Sequence, residues 1–175
     1  MPQGRMFNFW GSNGTVASGG SYIVAGLWTA STVGAKASVI QIHRIELSQS
    51  GSTTSTMVYG CFSTATGETG AGTCTSVTPT PLTALATAAA ISGLAGTATL
   101  TAAASCGSFP SAISALTSEV QLWDFGFNIL NGYLWVPTPP EYITVFNNVL
   151  FVIRFLGTPG QLTGWNVSID YEELV

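Results

Sequence analysis

SEVQLWDFGFNILNGYLWVPTPPEYITVFNNVLFVIRFL, residues 118–156, holds nine of the chain's 19 aromatic residues, and its reading sets the fold. In Gln121 to Leu130, Trp123, Phe125, Phe127 and Ile129 alternate on one face, with Leu122, Asp124, Gly126 and Asn128 on the other. That period of two is the mark of a strand with one buried face. Asn131-Gly132 is a strong two-residue hairpin signal, because both positions must accept a left-handed backbone. Through such a turn Ile129 pairs with Leu134 and Phe127 with Val136 on the core side. Tyr133 and Trp135 then point outward, as a contact patch on the surface or, alternatively, as a half-covered aromatic pair. Val136-Pro137-Thr138-Pro139-Pro140 makes a rigid corner, since proline cannot continue a central ladder. Glu141 to Phe146 follows as a strand with Ile143 and Val145 inward. Val149 to Leu156 is apolar on both faces, with Arg154 beside Leu150, Val152 and Leu156. A charge left alone there costs several kcal/mol, so Arg154 requires a carboxylate partner.

Outward from this stretch, the remaining segments read as strands and turns. Arg5 to Trp10 is either a first strand or an arm of residues 1–20 that docks on a neighbour. Ser21 to Ala30 is a strand that Gly26 interrupts with a bulge. In Ser38 to Ser48, Ile40 and Ile42 fall on one face and Ile45 and Leu47 on the other. One extra residue at His43-Arg44 would bring both pairs to the same side, so a β-bulge is expected there; a strand covered on both faces is the alternative. Trp165 to Glu172 alternates cleanly, with Trp165, Val167, Ile169 and Tyr171 inward.

Ser55 to Ser63 is expected to pair with Thr73 to Thr78 across a Gly-rich loop. A symmetric hairpin centred at Gly67-Glu68 sets Cys61 opposite Cys74, within disulfide reach. Two free thiols in a reducing compartment are the equal alternative. Residues 79–117 form a charge-free, Ala/Thr-rich excursion with one weak strand at Gly96 to Thr101. Loops of that length in a compact domain carry a function or are disordered, and the lack of charge favours an ordered role against a neighbouring subunit.

The whole reads as one domain, residues 1–175: all-β, an antiparallel sandwich of the jelly-roll type with about 8–10 short strands. Its composition is unusual in one respect. Charged residues make up 7 % of the chain, where about 25 % is ordinary. Ser, Thr, Gly and Ala must cover the surface instead, and such a surface is easily desolvated against partners. Four basic residues cannot follow a phosphate backbone, which argues against nucleic acid. The charge-free span between Glu68 and Glu119 lacks the ~20 strongly apolar residues of a membrane helix, and the N-terminus lacks an export signal.

Chemistry is sparse. His43 is the only histidine and lies mid-strand, where a structural role outweighs that of a general base. The cysteines lack metal-ligand spacing, so neither a metal nor another cofactor is expected. Asp170, Glu172 and Glu173 at the C-terminus read as solvated acids, and Asn166-Val167-Ser168 matches a glycosylation sequon. No catalytic residues are assigned.

Four segments carry a likeness: HRIELSQSGSTTSTMVYGCFSTATGETG at 43–70, NILNGYLWVPTPPEYITV at 128–145, RFL at 154–156 and YEEL at 171–174. Together they resemble a group of small β-rich proteins encoded by tailed phages. More generally, the chain is similar to jelly-roll decoration, or cement, proteins that sit on capsid shells as trimers. The resemblance implies a homotrimer made in the host cytoplasm and bound to the major capsid protein on the virion surface. Phe7, Phe9, Trp10, Tyr133, Trp135 and Tyr142 are the candidate interface residues. A receptor- or glycan-binding module of a tail or spike, using exposed aromatics such as Tyr133, Trp135 or Tyr142, is the other expectation.

Overall fold

The alternation at the C-terminus fixes where the inside lies. In the computed structural model, which describes residues 5–15, 21–28, 39–51, 55–69, 80–82, 115–146, 149–157, 159–160 and 163–174, Trp165, Val167, Ile169 and Tyr171 are all buried. The described residues form twelve strands: β1 (Arg5–Thr15), β2 (Ser21–Trp28), β3 (Val39–Gln49), β4 (Met57–Ala65), β5 (Gly67–Thr69), β6 (Thr80–Pro81), β7 (Ala115–Thr117), β8 (Val120–Asn128), β9 (Tyr133–Trp135), β10 (Ile143–Val145), β11 (Val149–Phe155) and β12 (Thr163–Leu174). A 3-10 turn at Pro139–Glu141 is the only helical element among the described residues, and no helix there is long and apolar enough to cross a membrane.

The fold is all-β and antiparallel, as the sequence predicts. One sheet runs β10-β3-β12-β1-β6, with β9 beside β10 on the same edge of β3; the other runs β2-β11-β4-β8. The pairs nest: β1 with β12, β2 with β11, β3 with β9 and β10, and β4 with β8. A small third sheet joins β5 to β7.

Aromatic rings hold the two large sheets face to face. Phe155 of β11 lies 4.7 Å from Trp165 of β12, Phe127 of β8 meets the same indole edge-on at 6.1 Å, and Phe62 of β4 meets Trp135 of β9 at 5.5 Å. Each such side chain, removed from water, contributes about 1.5–3 kcal/mol before the entropy of ordering it.

The expected bulge in β3 is present. Arg44 pairs with Asp170 and Ile42 with Tyr171, so His43 is the extra residue, and Ile40, Ile42, Ile45 and Leu47 are all buried. β11 is buried on both faces, as its sequence demands. Phe151, Ile153 and Phe155 face the other sheet, while Leu150 and Val152 are buried on the reverse side. There Arg154 has its carboxylate: Nη1 donates to Glu119 Oε2 at 2.8 Å.

Several expectations are corrected. β8 and β9 do not form a hairpin. Asn128 to Asn131 does turn, with Asn131 N–H donating to the Asn128 carbonyl at 2.9 Å and Gly132 at φ +69°. The turn, however, is a corner between sheets: β8 pairs with β4, and β9 pairs with β3. Partners in a flat hairpin share a face, but crossing to the facing sheet resets the alternation to that of β3. Trp135 is therefore 6 % exposed and part of the core, while Leu134 and Val136, expected inside, are 58 % and 62 % exposed. Trp123 is not in the core either; a register shift at Leu122 leaves both at an exposed rim.

The hairpin expected from β4 is also absent at Cys61. β8 flanks β4 on one side and β11 on the other, so Cys61 sits opposite Asp124 and Arg154. The chain runs past Ala65 into β5, which pairs with β7, and residues 73–78 lie outside the described residues. Cys61 is a buried free thiol, and Cys74 lies outside the described residues. In β2, Gly26 pairs in register with Phe151; the irregularity falls at Ile23, opposite the Ile153–Arg154 step. Of the two readings of the N-terminal segment, the strand is the one found: Arg5–Thr15 pairs along its length with β12. The 79–117 excursion begins as β6 on the edge of β1 and ends as β7, and its expected strand at 96–101 lies outside the described residues.

Candidate functional site

Among the described residues, two outward surfaces hold grooves. The first is the outer face of the sheet containing β12. The even-numbered residues of β12, expected outward, lie in cross-strand rows set by the register. Asn8, Asp170 and Arg44 form one row; Trp10, Ser168, Glu46 and Leu134 form the next; Asn166 and Ser48 belong to a third.

Hydrogen bonds tie these rows together. Asn8 Nδ2 donates to Ser168 Oγ at 2.8 Å and to Asp170 Oδ1 at 2.6 Å. Arg44 Nη1 reaches Asp170 Oδ2 at 3.4 Å, and its Nη2 donates to Glu46 Oε2. Near the bulge, His43 stacks on Tyr142 with centroids 4.1 Å apart, and its Nε2 lies 3.2 Å from Glu172 Oε2. Charges that are rare elsewhere are thus gathered here and largely paired.

Within this face Trp10 is 55 % exposed and forms one wall of an open groove of about 190 Å³. Glu46, Ser48, Asn166 and Ser168 contribute the polar part of its lining. The small Ser168 between Trp10 and Glu46 creates the hollow, because neighbouring strands are only about 4.8 Å apart and larger side chains would close it.

The second surface lies where β4, β8 and β11 end. Tyr59 and Met57 are exposed on β4, and Leu156 follows β11, its N–H donating to the Tyr59 carbonyl at 2.9 Å. With Pro159 they line a groove of about 150 Å³. Tyr59 lies against the backbone of Gly126, where an added Cβ would come 3.1 Å from the ring.

The candidate interface residues scatter over the molecule instead of forming one patch. Phe7 is buried and stacks on Tyr171 at 5.6 Å. The Phe9 side chain lies outside the described residues, although its backbone pairs with Ile169. Trp10 is exposed, and Tyr142 is half-buried on His43. Trp135 is in the core, and Tyr133 packs against it with its ring 4.8 Å from that of Phe125. Burial raises the Tyr133 phenol above its usual range, opposed by a hydrogen bond with Trp123. Burial likewise pushes the Cys61 thiol up, against the neighbouring Arg154 guanidinium.

Sequence reasoning missed Met57, Tyr59, Leu134 and Leu156 as exposed apolar residues. The alternation Met57-out, Val58-in, Tyr59-out was a usable signal; for Leu134 the corner between sheets removed it. Comparisons with protein-family models, with curated proteins and with solved structures find no match.

Proposed function

We propose that this chain is a non-enzymatic structural protein of a virion: a jelly-roll decoration, or cement, protein that binds a capsid shell and stabilises it. The jelly-roll assignment is supported by the nested strand pairs, which are what a single long hairpin produces when rolled into two facing sheets. The observation that carries the functional reading is the surface. Charged residues are 7 % of the chain, yet Met57, Tyr59, Leu134, Val136 and Leu156 are each more than half exposed. Apolar surface poor in charge is the composition of an interface core, not of a free monomer's coat. Around a threefold axis of the shell, three copies would bury the Tyr59–Leu156 groove against one another or against the major capsid protein.

The test is the copy number in the particle that contains it. Quantitative gels or a cryo-EM map should give on the order of hundreds of copies spread over the shell. A handful of copies confined to a tail would replace this reading with a receptor- or glycan-binding tail module.

A further inference from the structure

We infer that the groove beside Trp10 is a saccharide-binding site that takes a single pyranose ring. This holds for a shell protein and for a tail module alike, since it depends on the outer face of the sheet and not on location.

The size of the groove selects the ligand first. At about 190 Å³ it is smaller than the ~300–1,000 Å³ pockets of drug-sized ligands, and it suits one ring held from one side. Its chemistry is divided as a sugar's is. Trp10 offers an apolar, electron-rich face for the C–H surface of a pyranose. Opposite it are a carboxylate, an amide and two hydroxyls, groups that donate to and accept from ring hydroxyls.

Two groups of the polar wall, Glu46 and Ser168, are also held in advance. Glu46 Oε2 is taken by Arg44, leaving Oε1 to accept from a hydroxyl. Ser168 Oγ accepts from Asn8, which leaves its own proton available to donate to the groove's occupant. Asn8 and Arg44 are in turn fixed on the two oxygens of Asp170. A site whose polar groups are held by neighbours loses little freedom on binding.

Charge argues against the obvious competitor, a stacked nucleobase. Glu46, Asp170 and Glu172 outnumber Arg44 on this face, and the chain's net charge is −4, so a phosphate-bearing ligand is repelled.

The experiment titrates the full chain with methyl glycosides of glucose, galactose and mannose and with N-acetylglucosamine, followed by saturation-transfer NMR and by the Trp10 indole N–H resonance. At least one glycoside should bind with a dissociation constant on the order of 1–10 mM, as expected for one ring in an open groove. Trp10→Ala should weaken binding at least about tenfold, with an unchanged unfolding midpoint because the side chain is exposed. Asn166→Ala and Ser48→Ala, which leave the aromatic wall in place, should each weaken it several-fold. Leu134→Ala, in the same row but outside the groove, should not change it. Failure of every glycoside to bind, or binding that persists in Trp10→Ala, overturns the proposal; so does binding of a short oligonucleotide in preference to all four sugars.

Discussion

The indole of Trp135 meets the ring of Phe62 edge-on at 5.5 Å, and this contact locks one sheet to the other. Its position in the core separates the observed architecture from a flat hairpin. Trp135→Ala should destabilise the chain by about 3–5 kcal/mol, the usual cost of truncating a buried aromatic. Leu134→Ser and Val136→Ser, on the exposed side, should change stability by less than about 0.5 kcal/mol. Urea unfolding of the three variants checks this; a hairpin with Leu134 and Val136 inside would give the reverse order.

Gly60 is required by its neighbours, not by its backbone angle. A Cβ there would enter the Phe125 ring and come 2.7 Å from the Arg154 carbonyl oxygen, a backbone atom that cannot step aside. Gly60→Ala should therefore cost about 1–3 kcal/mol or more. Gly157→Ala, which meets nothing within 4 Å, should be neutral by the same thermal or urea measurement.

Arg154 and Glu119 form a part-buried pair whose single removals should be unequal to its joint removal. Arg154→Met leaves a carboxylate in a poorly hydrated place, and Glu119→Gln leaves a guanidinium there. Each should cost about 2–4 kcal/mol, somewhat below the value for fully buried pairs. The double variant Arg154→Met/Glu119→Leu should recover much of that loss, and a double-mutant cycle measures the coupling. Additive losses would mean that the two side chains act independently.

Stability should fall on the alkaline side. Burial raises the Cys61 thiol and the Tyr133 phenol in the folded chain, from ordinary values of 9.0 and 10.0. Below those values both states hold the protons, and pH has no leverage through these groups. Above them the unfolded chain ionises first, so unfolding is favoured and stability drops until the folded groups ionise as well. Through these two groups the unfolding free energy should not change at neutral pH, and it should begin to decline as the pH approaches the ordinary thiol value and continue to do so past the ordinary phenol value. Cys61→Ala and Tyr133→Phe should each flatten part of that decline; a steeper decline in either variant would refute the assignment.

Much of the fold was legible because it rests on local alternation. The inward set of β12, the bulge at His43 and the need of Arg154 for a carboxylate all follow from period-two patterning within a single strand. The partner of Arg154 was not legible, since Glu119 is 35 residues away in sequence. The groove was half legible. Trp10 stood out as an aromatic, and Asn166 and Ser168 as outward positions, but nothing local said that β1, β12 and β3 would lie side by side.

The sequence by itself determined most of the longer strands, most of their inward faces and the scarcity of charge. Those depend on the chemistry of residues one or two positions apart. Only the tertiary structure decided which strands pair, and with that the direction of Trp135, the isolation of Cys61 and the meeting of Trp10 with Glu46. A turn such as Asn131-Gly132 specifies that the chain reverses, but not whether it reverses within one sheet or passes to the facing one. That choice is made by the burial of Trp135 against Phe62, a contact between residues far apart in the chain.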